Sequence, residues 1–296
     1  MTTPRPFGRS LCAMITPFDG SGALDVAAAA RHAVRLVDGG CDGLVLNGTT
    51  GEAPTTSDAE KTALVRAVRE AVGGAVAVVA GVGSADTRHT VALAREAERA
   101  GADGLLVVAP YYSCPPQPAI EAHFRQVADA VGVPLMVYDI PGRTGVRVEV
   151  ETLLRLAEHP RIVAVKDCAQ DLLGSTKVIA NTSLAYYSGC EELNLPLYAV
   201  GGAGQVSTVA NAVPEVFRAV LDAFDRGETG RAARLNRLAL PLVELMMAAG
   251  LPGAVTAKAV IGAGGVRAPL QSADPLTVER LRAAHDVLLS HHDEWS

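Results

Sequence analysis

The chain has 296 residues, of which 49% are hydrophobic and 20% are charged, and its formal net charge is −6. This length suits one large barrel or two average domains, and the acidic balance excludes the basic surface of a nucleic-acid-binding protein. The five cysteines lack the spacing of a metal site, so we expect reduced thiols in a cytoplasmic protein. No apolar run reaches the ~18 residues of a membrane span, and residues 1–19 show no signal-peptide pattern.

Short apolar runs alternate along the chain with amphipathic, alanine-rich segments. Runs that are apolar on both faces predict buried parallel strands. The predicted strands are Leu11–Thr16, Gly43–Leu46, Val76–Ala80, Gly104–Ala109, Leu135–Tyr138, Ile162–Lys166, Ala185–Ser188 and Gly204–Ser207. Predicted helices between them include Ala27–Asp38, Asp58–Val72, Thr87–Arg99, Ala119–Ala130 and Val150–His159. Capping residues such as Ser57 begin these helices, and glycines such as Gly39 end them.

Strand–helix units repeated in this way predict a (β/α)8 TIM barrel. A doubly wound open sheet is the alternative, but it needs a Gly-x-Gly-x-x-Gly turn after the first strand, and none follows there. After about Pro214 the strands stop. The remaining segments predict helices at Glu215–Asp225, Gly230–Ala249, Val255–Ile261 and Thr277–Ser290. We expect a catalytic barrel over residues 1–225 and a C-terminal helical region over residues 226–296 packed on it.

Lys166 ends the sixth predicted strand, and it is one of only four lysines in the chain. A lysine at the end of a strand that is apolar on both faces is partly desolvated, which favours the neutral amine and lowers its pKa. A neutral amine can attack a carbonyl and form a Schiff base. The alternative is a lysine that extends to solvent or forms an ion pair with Asp167.

Other polar residues follow neighbouring strands, at the end of a barrel where active sites lie. The segment Asn47–Glu52 places two threonines between glycines, which could bind a small carboxylate or be an ordinary turn. Tyr138 ends the strand next to that of Lys166, and Arg143 follows it on a Pro/Gly-rich loop that could bind a second carboxylate. Taken alone, each tyrosine fits a core or interface aromatic better.

These motifs together resemble the dihydrodipicolinate synthase and N-acetylneuraminate lyase family of class I aldolases. The resemblance covers essentially the whole chain. It is carried by Gly48-Thr49-Thr50-Gly51-Glu52, Pro110-Tyr111-Tyr112, Tyr138-Asp139-Ile140-Pro141-Gly142-Arg143-Thr144-Gly145, Val165-Lys166-Asp167 and Ser188-Gly189. The order and spacing of these segments are highly specific to the family.

The resemblance implies a lyase in which Lys166 forms an imine with pyruvate, without a metal or an organic cofactor. The enamine derived from it would condense with L-aspartate 4-semialdehyde to give 4-hydroxy-tetrahydrodipicolinate, in lysine and diaminopimelate biosynthesis. The implied proton relay consists of Tyr138, Thr49 and a Tyr112 supplied by a neighbouring subunit of a homotetramer. The implied substrate-binding residues are Thr50 for the pyruvate carboxylate, Arg143 for the carboxylate of the aldehyde, and Gly189 and Val206 beside the lysine.

Some positions depart from the family pattern. Cys190 and Glu191 stand where the synthases usually have two aspartates near the aldehyde, which favours an alternative: a lyase or dehydratase for a sugar acid or 2-keto-3-deoxy acid. Arg143 favours the synthase, because sugar-acid relatives tend to replace this arginine. A third hypothesis, a catalytically silent pyruvate-binding paralogue, conflicts with the presence of the complete set of site residues. Asp139 stands where asparagine is common, and we expect it to lie among the residues that support the site rather than contact the substrate.

The residues that bind inhibitory lysine in the family are also changed. Ala85, His89 and Lys61 replace an asparagine, a glutamate and a histidine, and only Tyr111 remains. We therefore expect no feedback inhibition by lysine. The histidines lie on predicted helices or in the tail and form no metal constellation; they are His32, His89, His123, His159, His285, His291 and His292.

Overall fold

Eight parallel strands close into a barrel in which each strand pairs with the next in the chain and the last pairs with the first. The computed structural model describes residues 4–247 and 250–295. Over these residues the strands are β1 Ser10–Ala13, β2 Gly43–Leu46, β3 Ala77–Gly81, β4 Gly104–Val108, β5 Leu135–Asp139, β6 Ile162–Asp167, β7 Ala185–Ser188 and β8 Gly204–Ser207. The predicted (β/α)8 barrel is confirmed.

Helices follow the strands and form the outer layer. In the described part of the chain they are α1 Val26–Asp38, α2 Asp58–Val72, α3 Thr87–Arg99, α4 Gln117–Asp129, α5 Pro141–Thr144, α6 Val150–Leu156, α7 Leu172–Asn181, α8 Asn194–Ala199, α9 Pro214–Asp225, α10 Thr229–Met247, α11 Gly253–Ile261 and α12 Pro275–Leu289. Helix α9 packs on β1, while α10 packs on α9 and α12. None of these helices is both long and apolar enough to cross a membrane.

Most predicted elements differ from the observed ones by one or two residues at an end. The largest strand error is the first, predicted as Leu11–Thr16, because Ile15 donates its backbone N–H to the side chain of Asn211 at 3.0 Å and so leaves the sheet. The predicted helix Val150–His159 ends three residues early, at Leu156, in a turn closed by the His159 N–H. The predicted helix Gly230–Ala249 runs over residues outside the described ranges at its end.

Side chains of alternate strand residues fill the barrel interior. The interior group is Phe7, Leu11, Ala13, Val45, Val79, Leu106, Met136, Tyr138, Ala164, Ala185, Tyr187, Ala203 and Val206. Phe7 closes the N-terminal end, where a Cβ on Gly104 would lie only 2.4 Å from its ring. The Tyr187 hydroxyl donates to the Gly8 carbonyl at 3.0 Å and holds this segment in place. Access to the interior is therefore left to the opposite end, where the strands finish.

Candidate active site

Lys166 and Tyr138 lie side by side at the C-terminal ends of β6 and β5. They are paired in the strand register, so both side chains point into the barrel. Lys166 Nζ lies 4.4 Å from the centre of the Tyr138 ring, and each residue is only 5% exposed. Burial lowers the pKa of Lys166, as expected from the sequence, and burial raises the pKa of Tyr138 well above its ordinary value. The amine is therefore deprotonated more readily than in a free lysine.

The loop after β2 brings the two predicted threonines to this end of the barrel. It begins and ends with residues in left-handed conformations, Asn47 and Glu52, each with φ of 54°. It lies so close to β3 that a Cβ on Gly81 would be 2.3 Å from the Asn47 carbonyl oxygen. Thr49 and Tyr138 line the same cavity, and the Thr49 hydroxyl lowers the pKa of the Tyr138 phenol against the larger effect of burial. Two members of the predicted relay thus lie together.

Thr50 is held by a partner that the sequence did not reveal. Its hydroxyl lies 2.9 Å from that of Thr208, which follows β8, and the residue is 6% exposed. The side chain of Glu191 in turn accepts the Thr208 backbone N–H at 2.6 Å and the Ser207 hydroxyl at 3.0 Å. A buried carboxylate thus fixes the β8 loop against the threonine predicted to bind pyruvate.

Gly189 directly follows β7, and Val206 lies on β8. A Cβ on Gly189 would lie 2.8 Å from Lys166 Cε, so only glycine leaves room for the lysine chain at this point. Val206 is 1% exposed and belongs to the interior group. The structure therefore brings Lys166, Tyr138, Thr49, Thr50, Gly189 and Val206 to one end of the barrel.

A cavity of about 420 Å³ opens beside this group. Its walls include Thr49, Tyr138 and Arg143, together with Lys61 and Tyr111. Lys166 is not one of the lining residues; it lies behind Tyr138, against the ring. Arg143 is exposed on the short helix α5, where it lines the cavity 5 residues after Tyr138. A small polar molecule in this cavity would contact the phenol and the guanidinium together.

Tyr112 is the predicted site residue that the chain does not bring to the group. Its side chain is 95% exposed, and its φ of 73° is unusual for a non-glycine residue. An aromatic side chain displayed in this way is a typical interface residue. Within one chain, only Thr49 and Tyr138 of the predicted relay lie in the cavity wall.

Comparison with known proteins agrees with this geometry. A family model described as the dihydrodipicolinate synthetase family matches residues 6–287. The chain belongs to this family. A 4-hydroxy-tetrahydrodipicolinate synthase 1 of Streptomyces coelicolor is 72% identical over 96% of the chain and 94% of the relative. A 4-hydroxy-tetrahydrodipicolinate synthase of Acidothermus cellulolyticus is 53% identical over 95% of the chain and 94% of the relative.

Solved structures of dihydrodipicolinate synthases have the same fold. The enzyme of Cyanidioschyzon merolae with lysine bound superposes with a TM-score of 0.93 at 35% identity, over 96% of this chain and 99% of that one. The chloride-inhibited enzyme of Acinetobacter baumannii, complexed with pyruvate, superposes with a TM-score of 0.90 at 31% identity, over 95% of this chain and 99% of that one.

The departures from the pattern of the dihydrodipicolinate synthase family lie in different surroundings. Asp139 faces outward from the barrel, accepts the Val148 N–H at 3.0 Å, and has its pKa raised to about 7 by burial. Glu191 also points into the protein, where the Asn194 amide donates to it at 3.0 Å. Cys190 is half-buried, whereas Glu191 is buried. Of the two positions that favoured a different aldehyde, only Cys190 thus keeps a partly exposed side chain.

Sequence reasoning missed a buried ion pair beneath the site. Lys258 Nζ lies 2.5 Å from Glu52 Oε1, with side chains 2% and 0% exposed. The pair joins α11 to the loop of this dihydrodipicolinate synthase family member that carries Thr49 and Thr50. Lys258 interrupts the apolar helix Gly253–Ile261, and an isolated lysine in such a segment signals a buried partner.

The lowered pKa of Lys166 predicts a pH dependence for imine formation. Only the neutral amine attacks, so the rate of adduct formation should rise with pH and level off once the amine is deprotonated. We expect this plateau to begin below pH 10.5, the ordinary pKa of lysine, since burial lowers the pKa. Initial rates of borohydride-trapped adduct, measured at low pyruvate across pH, check this. An inflection at or above 10.5 would contradict the argument from burial.

Proposed function

We infer that the chain is a 4-hydroxy-tetrahydrodipicolinate synthase, a lyase that condenses pyruvate with L-aspartate 4-semialdehyde through an imine on Lys166. The observation that carries this inference is the buried amine of Lys166, 4.4 Å from the ring of Tyr138 at the catalytic end of the barrel. The identity to named synthases over nearly the whole chain supports the reaction. These comparisons support the synthase and not the sugar-acid alternative.

The proposed mechanism begins with the neutral amine of Lys166, which attacks the ketone carbon of pyruvate. Loss of water gives an imine, and loss of a proton from the pyruvate methyl group gives an enamine, whose carbon attacks the aldehyde. Tyr138 exchanges protons with these adducts and with Thr49. Thr50 holds the pyruvate carboxylate between Gly189 and the β8 loop, with Val206 beside the lysine. Hydrolysis of the product imine releases the free amine.

The test is intact mass after incubation with pyruvate and borohydride, with aspartate semialdehyde turnover assayed on the same sample. An adduct that maps to Lys166, together with turnover, is the expected result. An adduct without turnover would point to a different aldehyde at Cys190. A protein that gives no adduct would be a silent paralogue.

Arg143 is proposed to bind the carboxylate of the aldehyde. The Arg143→Ala variant should raise the KM for aspartate semialdehyde about 10- to 100-fold, the usual value of a hydrogen bond to a charged group. The KM for pyruvate should change little. Arg147→Ala is the matched control, because Arg147 is paired with Asp171 at 3.0 Å. Initial-rate kinetics with each substrate varied in turn decide the question; an equal rise in both KM values would contradict the assignment.

Free lysine is expected not to inhibit this enzyme. His89 Nε2 lies 2.9 Å from the carboxylate of Asp58, and the Lys61 ammonium donates to the Thr56 carbonyl. Both side chains line the cavity beside Tyr111, where the Lys61 ammonium would repel the ammonium of free lysine. Turnover measured with lysine up to millimolar concentration checks this expectation. Half-inhibition at or below a millimolar concentration would overturn it.

We also propose a homotetramer, a dimer of tight dimers, in the cytoplasm where pyruvate and amino-acid precursors are supplied. Tyr112, at 95% exposure, is free to enter the site of a partner and complete its relay. Mixing Lys166→Ala and Tyr112→Phe chains tests this directly. A hybrid dimer has one site with an intact Lys166 and an intact Tyr112 from its partner, so mixing should restore turnover that neither variant shows alone.

A further inference from the structure

Two cysteines flank Lys166, and the imine mechanism uses neither of them. Cys168 is the first residue after β6, and Cys190 is the second residue after β7. The register pairs Asp167 with Ser188, and the Gly189 N–H donates to the Asp167 carbonyl at 2.8 Å. Cys168 therefore lies opposite Gly189. Neighbouring strands are about 4.8 Å apart and successive residues about 3.3 Å apart, so this offset of one residue puts the Cα atoms of Cys168 and Cys190 about 6 Å apart. A disulfide spans Cα atoms about 4.4–6.8 Å apart.

The side chains also meet. A Cβ on Gly189 would lie 2.4 Å from Cys168 Sγ, so this thiol lies over the residue just before Cys190. The two thiols interact, and this interaction lowers the pKa of Cys168 and raises that of Cys190. Lys166 lowers the pKa of Cys168 further. Cys168 is thus the more nucleophilic thiol, and Cys190 is a protonated neighbour in position to react with it.

The remaining cysteines provide an internal comparison. Cys12 and Cys41 are buried, while Cys114 is exposed. Cys168 and Cys190 are half-buried, so each keeps some surface that a small oxidant can reach. The Cys168 thiol also raises the pKa of the Tyr138 phenol, so a change at this sulfur is felt by the proton relay.

We propose that Cys168 and Cys190 are an oxidation-sensitive dithiol that closes to a disulfide beside Lys166 and stops imine formation. The Cys168 thiolate attacks one oxygen of a peroxide, the O–O bond breaks, and hydroxide leaves and is protonated to water. The resulting sulfenic acid is attacked by the Cys190 sulfur; the S–S bond forms and a second water leaves with the Cys190 proton. The thiols lose two electrons, and the peroxide gains them.

Formation of the disulfide removes the Cys168 thiol from the neighbourhood of Tyr138. It also makes the backbone at Gly189 more rigid where it contacts the Lys166 side chain. The loss of imine formation rests on the proposed function, whereas disulfide formation does not. The cross-link and the trapped imine can therefore be scored independently of each other. Trypsin cleaves after Lys177, which places the two cysteines on different peptides.

The experiment treats the protein with hydrogen peroxide, maps non-reduced tryptic peptides, and measures borohydride-trapped pyruvate. We expect a Cys168–Cys190 cross-link and a loss of about tenfold or more in the amount of trapped pyruvate. Dithiothreitol should reverse both. Cys190→Ser should give no cross-link and keep its own untreated level of trapping. Cys114→Ser, which removes the exposed thiol, should cross-link as the wild type does.

Several outcomes would overturn the proposal. The first is oxidation of Cys114 without a cross-link at Cys168. The second is a cross-link with unchanged trapping. The third is a loss of trapping in Cys190→Ser equal to that of the wild type. If the reduced protein traps no pyruvate at all, the proposed function has failed, and the peptide map alone still decides whether the dithiol forms.

Discussion

The Lys166→Ala variant is expected to form no pyruvate adduct and to lose at least about a thousandfold in kcat, since the covalent route is removed. Another lysine, Lys61, lines the cavity itself and also has a pKa lowered by burial. Its ammonium donates to the Thr56 carbonyl, whereas Lys166 lies against the Tyr138 ring. In the proposed mechanism, the contact with Tyr138, rather than the lowered pKa alone, therefore distinguishes Lys166 from Lys61.

The measurement is the mass of the borohydride-trapped adduct together with kcat for each variant. Lys61→Ala is the matched control and should keep the adduct on Lys166. Thermal unfolding should show that Lys166→Ala remains folded, because the change removes a buried amine and leaves no charge without a partner. An adduct that survives in Lys166→Ala and disappears in Lys61→Ala would reverse the assignment.

The barrel and its reactive end were predictable because their signals are local. An apolar strand that ends in lysine, next to one that ends in tyrosine, gives the register pairing of Lys166 and Tyr138 directly. Parallel strands share their C-terminal edge, so polar residues just after the strands had to meet. The same argument placed Thr49 and Arg143 in the cavity wall with Tyr138, and Thr50 at the same end of the barrel.

Contacts between distant segments were not predictable in this way. Glu52 and Lys258 are separated by 206 residues, and nothing local names one as the partner of the other. From the sequence, Glu191 was expected near the aldehyde. Its side chain instead turns into the protein, because its carboxylate accepts hydrogen bonds from the Ser207 hydroxyl and from two backbone N–H groups that follow β8. The direction of a side chain on a loop depends on such donors, which the sequence pattern does not encode. The site that the Tyr112 side chain would enter belongs to a second chain, so the sequence of one chain does not locate it.

The Glu52–Lys258 pair is expected to be the largest single contribution to stability that a point change can remove. Lys258→Met leaves the Glu52 carboxylate buried without its cation, which should lower the free energy of unfolding by about 3–5 kcal/mol. Glu52 Oε2 also accepts the Arg267 N–H at 2.9 Å. The loop that ends at Glu52 carries Thr49 and Thr50, so the KM for pyruvate should rise in the same variant.

The double variant Glu52→Gln, Lys258→Met distinguishes two causes of a stability loss: a buried carboxylate without a cation, and the loss of the contact itself. It removes both charges, so it should recover much of the stability lost in Lys258→Met. Arg99→Ala is the surface control: Arg99 pairs with Glu96 at 2.7 Å with side chains 65% and 42% exposed, and its loss should cost less than about 1 kcal/mol. Denaturant unfolding with linear extrapolation measures all three. A Lys258→Met cost no larger than that of Arg99→Ala would contradict the argument.

The same unfolding curves bear on the proposed division at residues 225 and 226. Lys258 lies in the C-terminal helical region and Glu52 in the barrel, and the pair is fully enclosed between them. Arg267 adds a second tie, because its guanidinium meets the Glu60 carboxylate of α2 at 2.6 Å. If either the barrel or the C-terminal helical region unfolded alone, a buried charge in the other would lose its partner. Such partial unfolding therefore costs free energy. We therefore expect one cooperative transition in the wild type, and two transitions would mean that the helical region is held by weaker contacts than these.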